Sequence, residues 1–240
     1  MPNWVFNSLE IAGSSEDISK LKEQVSKPFT RAHENWDKET QSMQAKDYTF
    51  SNPIFSFWNI IKPTDLEAYA KQPDHSANLS EVMEQGNDWY NWNCRNWGCK
   101  WDVAVSDDSE WPETELLQDT SDSLVYKFNT PWSPPLPAIA ELSTQYPNLT
   151  FTLFYQEEQG WGGQILFVDG NGAEIESYES KCMDCDEIDT LEYCDNECGQ
   201  ICESCHYLGE ADLEAVAECE VHKVFLDEDH VPEYRKESNV

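Results

Sequence analysis

The apolar residues of this chain change period in a set order, strand-like, then helical, then strand-like again, and that order leaves few folds open. Residues 4–11 alternate and carry apolar side chains on both faces, as in a central strand. Gly13-Ser-Ser ends this segment. Ser14 or Ser15 then caps a helix with Glu16 and Asp17 in its first turn and a stripe of Ile18, Leu21 and Val25, stopped by Pro28. Residues 101–105 and 124–130 read as two more strands. Ser133 caps a second helix with Pro134 and Pro135 in its first positions and Leu136, Ile139, Ala140 and Leu142 on its buried face. Residues 149–156 form a strand and 165–168 its hairpin partner. A turn at Asp169-Gly-Asn-Gly172 leads to a last strand over 173–178.

This β-α-β-β-α-β order predicts an α+β fold: a ferredoxin-like antiparallel sheet with helices on one face. Residues 1–178 form that domain, with an insertion after the first helix at about 29–88, and 179–240 form an acidic, Cys-rich extension. Within the insertion, the polar stretch 31–47 reads as a loop or surface helix. Residues 50–61 are aromatic and apolar, and Thr64 caps a short helix carrying Leu66 and Tyr69, so the insertion lays an aromatic flap on the body. Trp89, Trp92, Trp97 and Trp101 are expected to build core and a rigid corner, with an aromatic ligand cage as the alternative.

The extension carries the best chemical signal. Cys182-Met-Asp-Cys185 and Cys202-Glu-Ser-Cys205 are two C-x2-C knuckles at a spacing used by zinc sites. Tetrahedral zinc takes four thiolate or imidazole ligands, and an all-cysteine site is closed to substrate, hence structural. Cys194, Cys198 and His206 are additional candidates, so two crossed sites or a substituted knuckle stay open. Four cysteines would also hold an iron–sulfur cluster, and reduced thiols in a flexible tail are the plain alternative. The acidity of this segment opposes folding unless a metal clips it.

The net charge is −32, from 47 acidic and 15 basic residues. Such a surface repels phosphates and anionic lipid and suits a basic partner. Direct nucleic-acid binding is not expected. Nine cysteines, an odd number, and a start lacking a basic and then apolar leader point to a reducing cytoplasm. No apolar run approaches a membrane span. P-loop, H-E-x-x-H and G-x-S-x-G signatures are absent. Asp107-Asp108 and Glu157-Glu158 read as solvated surface, and Gly160-Trp-Gly-Gly163 as a bent hairpin or a backbone anion nest.

Four segments carry a family likeness: residues 2–13, Asn96-Trp-Gly-Cys-Lys-Trp-Asp102, Phe128-Asn-Thr-Pro-Trp-Ser-Pro-Pro135 and Tyr155-Gln-Glu-Glu-Gln-Gly-Trp-Gly-Gly163. Together they resemble the YubB-like proteins of phages and plasmids, whose domain is ferredoxin-like in fold and holds no iron–sulfur cluster. Cys99 stands where that pattern has Thr. Cys94 and Cys99 are either a further ligand pair or two unrelated buried thiols. The resemblance supplies no catalytic residues. It implies a mobile-element protein in a bacterial cytoplasm. The expected function is non-enzymatic: inhibition of a basic host protein, such as a nuclease or defence factor, by an acidic, nucleic-acid-mimicking surface. An enzyme or small-molecule-binding protein is one alternative, and a nucleic-acid-binding module is the other.

Overall fold

The computed structural model of the chain describes residues 3–73, 86–109, 114–179, 191–193 and 200–202. In chain order the elements are β1 (Trp4–Ala12), α1 (Ser15–Val25), β2 (Phe29–Asp37), β3 (Ser42–Phe50), a 3-10 turn (Phe57–Asn59), α2 (Leu66–Ala70), α3 (Trp89–Asn96), β4 (Thr114–Asp119), β5 (Ser123–Pro131), α4 (Leu136–Gln145), β6 (Thr150–Glu157), β7 (Gly162–Val168), β8 (Asn171–Tyr178), β9 (Leu191–Tyr193) and β10 (Gln200–Cys202). By compactness the chain divides into two units, residues 1–157 with 164–175, and 158–163 with 176–240.

β1 lies between β5 and β6 and is antiparallel to both, with Val5 opposite Thr130 on one side and Glu157 on the other. β4 continues the sheet beyond β5, and β7 and β8 continue it beyond β6. The order β4-β5-β1-β6, with α1 following β1 and α4 joining β5 to β6, is the ferredoxin-like α+β fold. Val5, Asn7, Leu9 and Ile11 on one face of β1 are buried, whereas Phe6 and Ser8 are half-covered and Glu10 is exposed. β1 is thus the central strand expected, with one face more deeply buried than the other. Ile18, Leu21 and Val25 of α1 and Ala138, Ile139 and Leu142 of α4 join Leu9, Ile11, Tyr126, Phe128, Phe151 and Leu153 in one core. Both helices thus serve the same face of the sheet.

The helix ends follow local chemistry. Ser14 Oγ accepts the Asp17 N–H at 3.2 Å and caps α1. Ser133 does not cap α4. Its hydroxyl donates to the Gly98 carbonyl at 2.5 Å, and α4 starts at Leu136, with Pro137 in a first turn that needs no N–H. For α2 the cap is Asp65, which accepts the Ala68 N–H at 2.9 Å, rather than Thr64.

Two expectations for the insertion fail. Residues 31–47 are neither loop nor helix: β2 and β3 form an antiparallel hairpin with a two-stranded sheet of its own. Its turn is held by Asp37, whose Oδ1 accepts the N–H groups of Glu39 and Thr40 at 3.0 and 2.7 Å. These bonds hold the Asp37 carboxyl below its ordinary pKa. Residues 101–105 form no strand: the Val103 and Ala104 N–H groups turn toward the Asp102 carboxylate instead of a sheet neighbour. The second strand of the frame is β4, so the insertion runs on to it.

In the second unit β9 pairs with β10 as an antiparallel ladder with Glu192 opposite Ile201.

Candidate ligand-binding pocket

Residues directly opposite in an antiparallel pair share a face, and this sorts the hairpin into two sides. Phe29, Arg31, His33 and Asn35 face the same way as Phe50, Tyr48, Lys46 and Gln44. Trp36 and Met43, on the other side, are exposed, Trp36 by 61%. The first side closes over a cavity of about 520 Å³. Arg31, His33, Asn35, Tyr48 and Phe50 supply one wall. Gln72 after α2, with Trp89 and Asn93 of α3, supplies a second. Trp4 and the segment from Trp101 to Ser109 supply the rest. Tryptophan, tyrosine, phenylalanine and histidine rings supply most of the apolar lining, and polar or charged side chains supply much of the rest, a mixture of apolar surface and convergent polar groups that suits a small-molecule site.

The hairpin is anchored at its root. Phe29 stacks on Phe50 at 4.4 Å, and Phe29 stacks on Trp58 at 5.9 Å. Arg31 reaches inward from there. Its guanidinium centre lies 5.0 Å from the Phe50 ring centre, 5.9 Å from Trp58 and 6.0 Å from Trp97, within range of cation–π attraction. Its Nη1 is 3.5 Å from Asp102 Oδ2, and only 11% of the Arg31 side chain is exposed. Nε and Nη1 are covered and make no hydrogen bond among the described residues.

Asp102 is fully engaged by comparison. Its Oδ1 accepts the N–H groups of Phe57 at 2.9 Å, Val103 at 2.8 Å and Ala104 at 3.3 Å. Its Oδ2 accepts the Ser56 hydroxyl at 2.8 Å and the Trp58 N–H at 3.3 Å. A buried carboxylate persists only when its lone pairs are filled, and these five donors fill them.

His33 sits among Tyr48, Tyr69 and Trp89, with ring centres 5.6 to 5.9 Å away. Burial, and then the Arg31 charge, pull its pKa from 6.5 to about 3. The imidazole is therefore neutral throughout the physiological range. Tyr69 donates to Asn93 Oδ1 at 2.9 Å, and burial pushes its pKa up to about 12. At the rim, Lys46 lies 3.0 Å from Asp108, which also accepts the Ser106 hydroxyl at 2.8 Å. The Ser106 bond and the lysine hold the Asp108 carboxyl below its usual value. Asp107 binds the backbone N–H and hydroxyl of Ser51. Asp107, Asp108 and Glu158 are exposed, as expected, whereas Glu157 is buried, contrary to expectation.

The four tryptophans differ in their surroundings, and Trp89 both packs against the core and lines the cavity. Trp92 and Trp97 belong to the core, whereas Trp89 and Trp101 line the cavity. Cys99 is buried, its thiol donating to the Trp101 carbonyl at 3.3 Å, and Cys94 is half-buried. Burial raises both thiol pKa values. Among the described residues no three His, Cys, Asp or Glu side chains come together as a metal site. The expected zinc ligands Cys182, Cys185, Cys194, Cys198, Cys205 and His206 lie outside the described residues, and of Cys202 only its place in β10 is described.

From the sequence Arg31 stood out only as part of a basic patch with Lys20, Lys22 and Lys27, and His33, Asn35 and Tyr48 did not stand out at all. The signal was present as period-2 alternation of ring-bearing and charged residues on both sides of Asp37-Lys-Glu-Thr-Gln41.

Residues 100–195 match the family model described as "Ferredoxin-like domain in Api92-like protein". The match starts after β1 and α1. Among solved structures the chain is similar to the crystal structure of a protein api92 from Yersinia pseudotuberculosis, at 12% identity and a TM-score of 0.39, over 73% of this chain and 99% of that one. No curated protein matches it in sequence. No helix among the described residues is long and apolar enough to cross a membrane.

Proposed function

We propose that this protein works by binding rather than by catalysis, and that the pocket beneath the β2–β3 hairpin is its binding site. The observation that carries this is the state of the pocket's reactive groups. The Asp102 oxygens are filled by five donors, His33 is held neutral with a covered Nδ1, and Asp108 is paired with Lys46. Such groups shape a cavity, whereas a general acid or base needs a pKa near the working pH. A thermal-shift screen of the full chain against a metabolite library tests the proposal, with mass detection of any conversion. Stabilisation without turnover supports it, and turnover of a bound compound overturns it.

A second reading is favoured by the net charge of −32. In it the chain is a YubB-like phage or plasmid protein in a bacterial cytoplasm. It inhibits a basic host nuclease or defence factor by presenting carboxylates where that partner expects phosphates. Zinc on Cys182, Cys185, Cys202 and Cys205 would hold the acidic extension in shape for that role. Affinity purification from bacterial lysate tests this reading. A basic partner captured by the full chain and released by salt supports it, and capture that is indifferent to salt overturns it.

A further inference from the structure

We infer that the pocket selects an uncharged ring compound, with a flat apolar face to stack and a polar edge to be read, and that it discriminates against both anions and cations. The inference rests on the pocket being the working site and adds the class of ligand.

The charges in the cavity cancel locally. Arg31 is matched by Asp102, and Asp108 by Lys46 at 3.0 Å. A cation entering would meet the conditions that already act on His33, a low-dielectric wall and the Arg31 charge, and these hold that imidazole neutral down to about pH 3. An anion would approach a chain of net charge −32 and find the lining cation, Arg31, already matched by Asp102. The stable occupant is neutral.

The surfaces for its face and its edge are both present. Trp4, Tyr48, Trp89 and Trp101 contribute rings to the lining, and Trp4 and Trp101 are inclined to each other by 43° at 6.1 Å. Rings of this kind stack against sugar C–H faces and against heteroaromatic bases. The edge is read by Asn35 and Tyr48. Asn35 Nδ2 donates to the Tyr48 hydroxyl at 2.7 Å, which leaves the tyrosine O–H as a donor beside the Asn35 carbonyl oxygen as an acceptor. A neighbouring donor and acceptor match the vicinal hydroxyls of a pyranose or the amide edge of a nucleobase. These two sources share one chemistry.

The test is a tryptophan-fluorescence titration of the full chain with methyl glucoside, adenosine and uridine. Each is matched by a charged counterpart: glucuronate and glucosamine for the sugar, and the 5′-monophosphates for the nucleosides. The expected result is saturable binding of at least one neutral ring, at least tenfold tighter than its charged counterparts. Asn35→Ala and Tyr48→Phe, at a hairpin rim away from the core, should each weaken it about tenfold while the far-UV spectrum stays unchanged. Binding by the sugar or by the nucleosides assigns the source. Charged counterparts that bind as tightly, and are weakened by Asn35→Ala, would overturn the selectivity and leave the pocket reading standing. Neutral binding that ignores both substitutions would overturn the inference, and no saturable change with any compound would overturn the pocket reading with it.

Discussion

Arg31 and Asp102 form an ion pair at 3.5 Å that is unequal in its support: the carboxylate has five further hydrogen-bond donors, and the guanidinium rests on aromatic rings. The pair ties the root of the β2–β3 hairpin to the segment that follows α3. It is the joint on which the pocket turns.

That inequality predicts unequal substitutions. Asp102→Ala leaves a buried guanidinium and four backbone N–H groups without their acceptor, and should cost about 3–5 kcal/mol. Arg31→Met keeps the stem packed between the rings and leaves Asp102 its donors, so it should cost clearly less. Urea denaturation of the two variants measures the difference, and equal losses would contradict the assignment.

His33 should make stability depend on pH in a defined direction. Its folded pKa, about 3, lies below the ordinary 6.5, so below pH 6.5 the unfolded chain takes up a proton that the folded chain refuses. Stability from this group is complete above pH 6.5 and drains away as pH falls toward 3, by about 1.4 kcal/mol per unit at the steepest. His33→Phe should remove that slope. The comparison belongs between pH 7 and 5, above the range where most carboxylates titrate.

Gly98 has φ +86°, and a Cβ there would lie 2.5 Å from Pro137 Cδ and 3.2 Å from the Pro134 carbonyl oxygen. Both neighbours are rigid. Gly98→Ala should therefore cost about 1–3 kcal/mol, read as a lowered thermal midpoint. It should also disturb the Ser133 contact to the Gly98 carbonyl, and with it the entry to α4.

Ser14→Ala removes the acceptor for the Asp17 N–H and should cost about 1 kcal/mol. Ser14→Asp should restore most of it, because the replacement keeps an acceptor and adds a negative charge at the helix start. Denaturation midpoints of the two variants check this.

The frame was legible where one residue set made both the pattern and the burial. Ile18, Leu21 and Val25 recur at helical spacing and are the buried residues of α1. Leu124, Tyr126 and Phe128 alternate and are buried in β5, and Thr130 continues the same face. The pocket was hidden because its hairpin hardly belongs to the core: Thr30, Asp47 and Thr49 are exposed, and Arg31 is covered by partners far along the chain. No local window contains Asp102 together with Arg31. The strand expected at 101–105 failed for the same reason. Alternation around Trp101 was real, but the buried carboxylate in its middle had a stronger claim on the backbone. In β1 the aromatic residues at positions 4 and 6 marked a central strand, which it is, and they are only partly covered.

The placing of β1 has a consequence for synthesis. β1 leaves the ribosome before either of the strands it ends between, and its partner for Trp4 is Pro131. At about 5–20 residues per second, the strand waits several seconds at least for its first neighbour, and longer for β6. Throughout that time Val5, Leu9 and Ile11 lack both of their neighbouring strands. The nascent chain should therefore depend on chaperones that bind short apolar segments, and its yield should respond more to their supply, and to the rate of translation, than the stability of the finished fold would suggest.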